Sequence, residues 1–198
     1  RYQYVHAYKL KDQAPQLLED LPKTVSDFGV GVSYTFDSRD FMLNASRGWF
    51  MQLDLTTNPT FLGNNNTYWS AELQLATYRK AWRGAIIAGE LHTRQSTGQV
   101  PWPMLADVGS SNRMRGYYEG RYRDKNVIDA QVELRQHIWH RNGIVLWLGA
   151  AEVFPRYSDM RFSRILPNAG VGYRWQFKKG VNVRLDYGFS RNGTGFIF

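Results

Sequence analysis

Few residues of this 198-residue chain stand at spacings that could support bond-making chemistry. His137 and His140 have the separation of a metal-binding pair, Asp129 and Glu133 could pass for an acid and a base, and Ser110-Ser111 offers hydroxyls. Each weakens against its context. On a strand, residues three apart face opposite sides, so the two histidines are not expected to share a metal. Asp129 and Glu133 fall two same-face positions apart on one alternating segment, where lining a water-filled interior explains them better than acid–base work. Ser110 and Ser111 lack the Gly-x-Ser-x-Gly setting of an activated nucleophile. His6 and His92 are isolated in sequence, and no phosphate-binding glycine loop occurs. With no cysteine, disulfides, thiolate zinc sites and cysteine nucleophiles are excluded. The expectation is a protein that is not an enzyme and carries no metal and no cofactor.

The elements that would position such residues are strands. Phe28, Val30, Val32, Tyr34 and Phe36 alternate with Gly29, Gly31, Ser33 and Thr35. Trp49, Met51, Leu53 and Leu55 alternate with Gln52, Asp54 and Thr56, and Trp69, Ala71, Leu73 and Leu75 with Glu72 and Gln74. Ile128, Ala130, Val132 and Leu134 oppose a row made by Asp129, Gln131, Glu133 and Arg135. Two further runs, 169–178 and 181–189, keep the theme. Segments 82–92 and 143–154 are more uniformly apolar, so their inward faces are expected to meet packed protein rather than water.

Connections alternate in length. Lys80 to Gly84, His140 to Gly143 and Lys178 to Gly180 are tight, whereas 11–26, 57–67, 93–125 and 155–166 are long. Outer-membrane barrels place short turns at one end and long loops at the other. A soluble barrel or sandwich would bury the apolar face instead, and periodicity alone does not separate the two. Strand length and aromatic load favour the membrane. Most runs reach about 9 to 11 residues, enough to cross a bilayer at a tilt, and 15% of residues are aromatic, as expected of girdles at two interfaces. Mean hydropathy is -0.48 and no apolar run is long enough for a spanning helix. The net charge of +8 comes from scattered Lys and Arg, which argues against a nucleic-acid partner. Arg1-Tyr2-Gln3-Tyr4 has neither the charged start nor the apolar stretch of an export signal, so the chain is expected to begin after one. The fold class expected is all-β, an antiparallel transmembrane β-barrel, with residues 1–198 forming one domain.

Several motifs carry a family resemblance. Asp37-Ser38-Arg39-Asp40, followed by Ser46-Arg47-Gly48, resembles the hairpin turn of the Omp85 superfamily, the BamA and TamA relatives. Pro101-Trp102, Leu105, Val108-Gly109 and then Met114-Arg115-Gly116-Tyr117-Tyr118-Glu119-Gly120 resemble that family's long loop with its Arg-Gly-aromatic motif. Glu133-Leu134-Arg135, Gly170-Val171-Gly172-Tyr173-Arg174 and Arg184-Leu185-Asp186-Tyr187-Gly188 follow in the family's order, so the resemblance covers nearly all residues. It is nearest to short members with little or no periplasmic region. It implies a barrel of about sixteen strands, of which this chain would hold about nine or ten as its C-terminal part, although closed outer-membrane barrels can have as few as about eight. Arg191, Gly193, Phe196 and Phe198 resemble the terminal sorting signal of outer-membrane proteins. The stretch 194–198 is too short to cross a bilayer, so either the last strand runs on from Val181 or further residues follow.

The resemblance also implies a site. In that family the long loop, here 93–125, folds into the lumen, and its arginine is held by inward carboxylates. Arg115 would be that arginine, and Glu133 its partner, through the two-pronged match of guanidinium and carboxylate. The second acid of the family falls at Gly149, within Trp147-Leu148-Gly149-Ala150-Ala151, and is lost. Glu152 points to the opposite face from Gly149, which leaves Asp186 as a weaker substitute. The function implied is insertion, assembly or translocation of proteins at the bacterial outer membrane, with lipid or lipopolysaccharide and client proteins as partners. Alternatives are a passive channel or lipid-contacting barrel, and the membrane anchor of a patatin-like enzymatic domain.

Overall fold

A segment that alternates apolar and polar residues over ten or more positions gives its sheet two faces that suit different solvents. The computed structural model, which describes residues 2–6, 24–178 and 180–197, builds such a sheet. Its strands are β1 (Tyr2–His6), β2 (Thr24–Phe28), β3 (Val30–Asp37), β4 (Gly48–Asn58), β5 (Tyr68–Lys80), β6 (Ala85–Gly98), β7 (Ala106–Val108), β8 (Tyr122–Asp124), β9 (Asn126–Trp139), β10 (Asn142–Phe154), β11 (Leu166–Lys178), β12 (Val181–Ser190) and β13 (Gly193–Ile197). Nine of them form one antiparallel sheet in the order β13-β12-β11-β10-β9-β6-β5-β4-β3. β1 pairs with β2, which runs into β3 through Gly29, and β7 pairs with β8 inside the loop that joins β6 to β9.

The sheet is inside-out relative to a protein dissolved in water. On β9 and β10, Val132 (57% exposed) and Leu148 (69%) face outward, while Asp129, Gln131 and Glu133 are buried on the other face. On β12, Val183, Leu185, Tyr187 and Phe189 are exposed and Asp186 is fully buried. Only a hydrocarbon environment makes that arrangement favourable, since exposed apolar rows of this extent are costly in water. β5, β6, β9, β10 and β11 are 13 or 14 residues long, more than a tilted crossing needs, so they project beyond the bilayer. No helix among the described residues is long and apolar enough to cross a membrane.

Several sequence expectations are corrected at the element ends. β6 continues to Gly98, so the long loop is 99–125 and not 93–125; its last residues, Thr93 to Thr97, are almost all polar and hide the period, but they pair in register with β5 from Leu73 to Trp69. β4 runs to Asn58, leaving a loop of 59–67. Residues 11–23 of the expected connection 11–26 lie outside the described residues, and 24–26 belong to β2. The last strand does not run on from Val181: Arg191 and Asn192 make a two-residue hairpin turn, and β13 pairs back on β12. Loop lengths follow the expected asymmetry in 59–67, 99–125 and 155–165 against 81–84 and 140–141, with two exceptions: the ten-residue turn 38–47 on the short side and the turn at 191–192 on the long side.

Of the two more uniformly apolar segments, 143–154 meets packed protein, whereas the inward Ile86, Ala88 and Glu90 of 82–92 line a cavity. Val145, Trp147 and Ala151 of β10 are buried beneath the long loop. That loop brings its own apolar residues, Ala106, Val108, Met114 and Tyr117, against Val127, Ala151 and Leu166 of the sheet.

Candidate functional site

A charged residue of the loop is among its most deeply buried large side chains. Arg115 is 2% exposed and lies over the inner face of β9 to β12. Its Nη2 donates to Glu133 Oε2 at 2.5 Å and its Nη1 to Asp186 Oδ2 at 2.8 Å. Glu133 is 6% and Asp186 0% exposed. The outer carboxylate oxygens are also used. Arg135 Nε donates to Glu133 Oε1 at 2.6 Å, and Arg174 donates to Asp186 through both Nη1 and Nη2. Three guanidinium groups and two carboxylates thus alternate in one buried row, so each acid is shared by two cations and neither is left uncompensated.

The sheet register explains how one side chain reaches acids on strands β9 and β12. Glu133, Trp147, Gly170 and Gly188 lie opposite one another along one row, and Arg135, Val145, Gly172 and Asp186 along the next. The two glycines of β11 clear the ground between the acids. A Cβ on Gly170 would overlap the Trp147 indole and one on Gly172 would overlap the Asp186 carboxylate, so both side chains lean into the space. Arg115 then stacks on the indole, its guanidinium carbon 3.7 Å from the ring centroid.

The loop backbone is gripped as well as its charge. Gly116 has φ of 103°, a region that disfavours a side chain. A Cβ on Gly188 would lie 2.5 Å from the Arg115 carbonyl oxygen, and one on Gly116 would lie 2.9 Å from the Gly188 backbone. Loop and β12 therefore meet glycine on glycine. Asn168 Nδ2 donates to the Arg115 carbonyl at 2.9 Å, and Tyr117 Oη donates to the Pro167 carbonyl at 2.7 Å. Met114 is buried in the loop's apolar cluster, while Gly120 sits in a turn beside Arg123 and does not reach the site.

Sequence reasoning placed the weight on Glu133 and treated Asp186 as the weaker partner. The structure gives Asp186 an equal share of Arg115 and greater burial. Where the family's second acid is missing, at Gly149, the space is filled from the next strand: a Cβ there would overlap the Asn168 side chain. Glu152 does not compensate; its carboxylate accepts from the Arg161 backbone N–H at 2.8 Å. From sequence Arg135, Trp147 and Arg174 stand only within the resembling motifs, with no role at the site, and Asn168 does not stand out at all. The one available signal was inward alternation on adjacent strands.

At the opposite end, the turn 38–47 is organised by Asp37, Arg39 and Asp40. Arg39 forks onto Asp37, with Nε at 2.9 Å and Nη2 at 2.6 Å. Asp40 accepts from Ser46 Oγ at 2.5 Å and from the backbone N–H groups of Ser46 and Arg47. These bonds, the Ser46 hydroxyl first, hold the Asp40 carboxyl at about 2, below the usual carboxylate range. Gly48, at φ of 110°, closes the turn where a Cβ would strike the Ser38 carbonyl.

The remaining candidates are placed as follows. His92 is not isolated: its ring nitrogens meet Asp129 at 2.7 Å and Glu72 at 3.0 Å, an arrangement invisible until β5, β6 and β9 are set side by side. His137 Nε2 meets the His140 carbonyl, and no group of three or more His, Cys, Asp and Glu able to hold a metal occurs among the described residues. Ser110 Oγ accepts from the backbone of Asn112 and Arg113, the role of a turn residue. Arg191 lies in the last hairpin turn, Gly193 and Phe196 on β13 with Phe196 exposed, and Phe198 outside the described residues.

Comparison with known proteins agrees with this architecture. The chain is similar in fold to a crystal structure of BamA from Haemophilus ducreyi lacking POTRA domains 1-3, with a TM-score of 0.67 and 14% identity over 85% of this chain. The match covers 39% of that chain, so the present chain spans well under half its length. No curated protein matches the sequence. The profile of the Omp85 superfamily domain matches residues 1–194, and the chain belongs to that superfamily.

Proposed function

We propose that this chain is the braced half of an outer-membrane barrel that inserts, assembles or translocates proteins, with loop 99–125 held inside by Arg115. The observation that carries the reading is the burial of Arg115 between Glu133 and Asp186. A loop of this length with no task would be exposed and mobile. This one is fixed by a buried ion network, an apolar cluster and a glycine contact, which is what a brace or gate of a barrel interior requires. The outer face takes lipid and lipopolysaccharide, and client outer-membrane or secreted proteins are the partners of the barrel. No step of this role calls for catalysis or a nucleic acid.

The test is Arg115→Ala and, separately, Glu133→Gln in the full-length protein, followed by client assembly and single-channel conductance. Both variants are expected to loosen the loop, lower client assembly and raise conductance. Unchanged folding, conductance and assembly would overturn the reading. A passive channel is the second reading, favoured by a polar cavity of about 530 Å³ beside the loop, lined in part by Arg135, Arg141, Arg174 and Arg184. Steady anion-selective conductance with Arg115 intact, and no effect on client assembly when it is replaced, would select it.

A further inference from the structure

The outer face of the sheet is not evenly filled. Across β4 to β10 it carries a depression of about 570 Å³ whose floor is made by Gly89, Ala130 and Ala150 and whose walls include Trp49, Leu91 and Leu148. The register builds it: Trp49, Thr77, Gly89, Val132 and Leu148 form one outward row, and Leu75, Leu91, Ala130 and Ala150 the next. The smallest outward residues of β6, β9 and β10 therefore fall together, walled by the larger Trp49, Leu91 and Leu148. A Cβ on Gly89 would meet nothing closer than 3.4 Å, so the gap there is not forced by a close backbone approach. The wall atoms lack packing partners unless something apolar enters.

The depression also has a charged rim. Arg79, one outward position beyond Thr77 on β5, lies with its guanidinium carbon 5.9 Å from the centroid of the Trp49 ring that forms the wall. No ion pair of Arg79 occurs among the described residues, whereas the acids at the same end of the sheet, Asp37 and Asp40, are taken by Arg39 and Ser46. Lys80, Arg83 and Arg141 stand at that end too. A cation next to an amphipathic ring at the edge of an apolar band is the arrangement of a membrane interface, where phosphate groups lie.

We propose that this depression is a binding site for a single phospholipid of the leaflet at the short-turn end, with an acyl chain over Gly89, Ala130 and Ala150 and the phosphate on Arg79. Apolar burial holds the chain and a charge-assisted hydrogen bond to the phosphate fixes its depth. The site rests on the membrane placement of the sheet but not on the brace formed by Arg115; an inert Arg115→Ala variant would leave it standing, while a protein absent from the membrane fraction would remove both.

Native mass spectrometry of the full-length protein in mild detergent tests it, with phosphatidylglycerol and diacylglycerol of the same chains as probes. The intact protein is expected to retain phosphatidylglycerol about tenfold more than diacylglycerol, equivalent to about 1.4 kcal/mol. Arg79→Gln should abolish that preference and Arg79→Lys should keep part of it. Gly89→Leu with Ala130→Leu should lower retention of both lipids, and Val171→Leu, on the outer face of β11, should lower neither. Each variant is first shown to be folded by its heat-modifiable mobility, and if the double variant does not fold, the single Arg79→Gln comparison decides. Equal retention of the two lipids by the intact protein, or an unchanged preference in Arg79→Gln, overturns the proposal.

Discussion

Arg115 and Arg39 each sit among acids, yet their surroundings differ in the one property that sets their worth. Arg39 forks onto Asp37 in a surface turn, two residues away in sequence, where both side chains still reach solvent. Arg115 joins Glu133 and Asp186, 18 and 71 residues away, at a site where all three side chains are buried. An exposed pair gains little, because water already solvates both charges and ordering long side chains costs entropy. A buried pair is costly to form and costlier to break, since removing one partner strands the other. The same chemistry therefore shapes a local turn at one end and fastens a loop to distant strands at the other.

The comparison predicts its largest difference for truncation of the two arginines. Arg115→Ala leaves each acid only its outer arginine and removes two buried charge-assisted hydrogen bonds of about 1.5 to 3 kcal/mol each, so it is expected to destabilise the barrel by about 3 to 5 kcal/mol in urea unfolding from liposomes. Arg39→Ala should leave the same midpoint unchanged within error. Equal effects would end the distinction. Next in size is the coupling within the buried row. Asp186→Asn and Glu133→Gln should each be far less damaging in an Arg115→Ala background than alone, with an interaction energy of about 0.5 to 3 kcal/mol from a double-mutant cycle. Strict additivity would mean that Arg115 bridges neither acid.

Smaller again, and free of charge effects, is Gly188→Ala. Its methyl would press on the Arg115 carbonyl, and overpacking of this kind costs about 1 to 3 kcal/mol. The loop should become sensitive to protease near residue 116 while the strands stay intact. If it does not, the glycine contact is dispensable and the ions alone hold the loop.

The two sites also differ in how far the sequence discloses them. Asp37, Arg39 and Asp40 are local, so their association can be read from spacing. Glu133 is legible as an inward acid because β9 alternates cleanly. Asp186 is equally inward, but its value depends on β11 presenting Gly170 and Gly172, which let Trp147 and Asp186 lean together beneath Arg115. Asn168 is harder still: it fills the place vacated at Gly149 from the adjacent strand, and only the register of β10 against β11 reveals that. His92 shows the same limit, being isolated along the chain and flanked by Glu72 and Asp129 across the sheet. Strand periodicity was readable wherever the two faces differ in polarity, and failed at Thr93 to Thr97, where both faces are polar because the strand has left the apolar band.

The smallest predicted effect belongs to Asp40, and its sign follows from its hydrogen bonds. The Ser46 hydroxyl and the backbone N–H groups of Ser46 and Arg47 favour the ionised carboxylate, holding its folded value at about 2 against about 3.9 in an unfolded chain. The folded turn thus binds fewer protons than the unfolded one through this range. Its contribution is complete above about pH 4 and is lost as pH falls through 2. Asp40→Asn, which keeps the shape and removes the charge, should therefore be slightly less stable than the parent at neutral pH, with the gap closing between pH 4 and pH 2. The full exposure of the carboxylate keeps that gap small. The buried row at Arg115 offers the contrast: Glu133→Gln should carry a much larger penalty at neutral pH, because there the lost charge is one that solvent cannot replace. Gaps of similar size at residues 40 and 133 would show that burial does not separate the two sites.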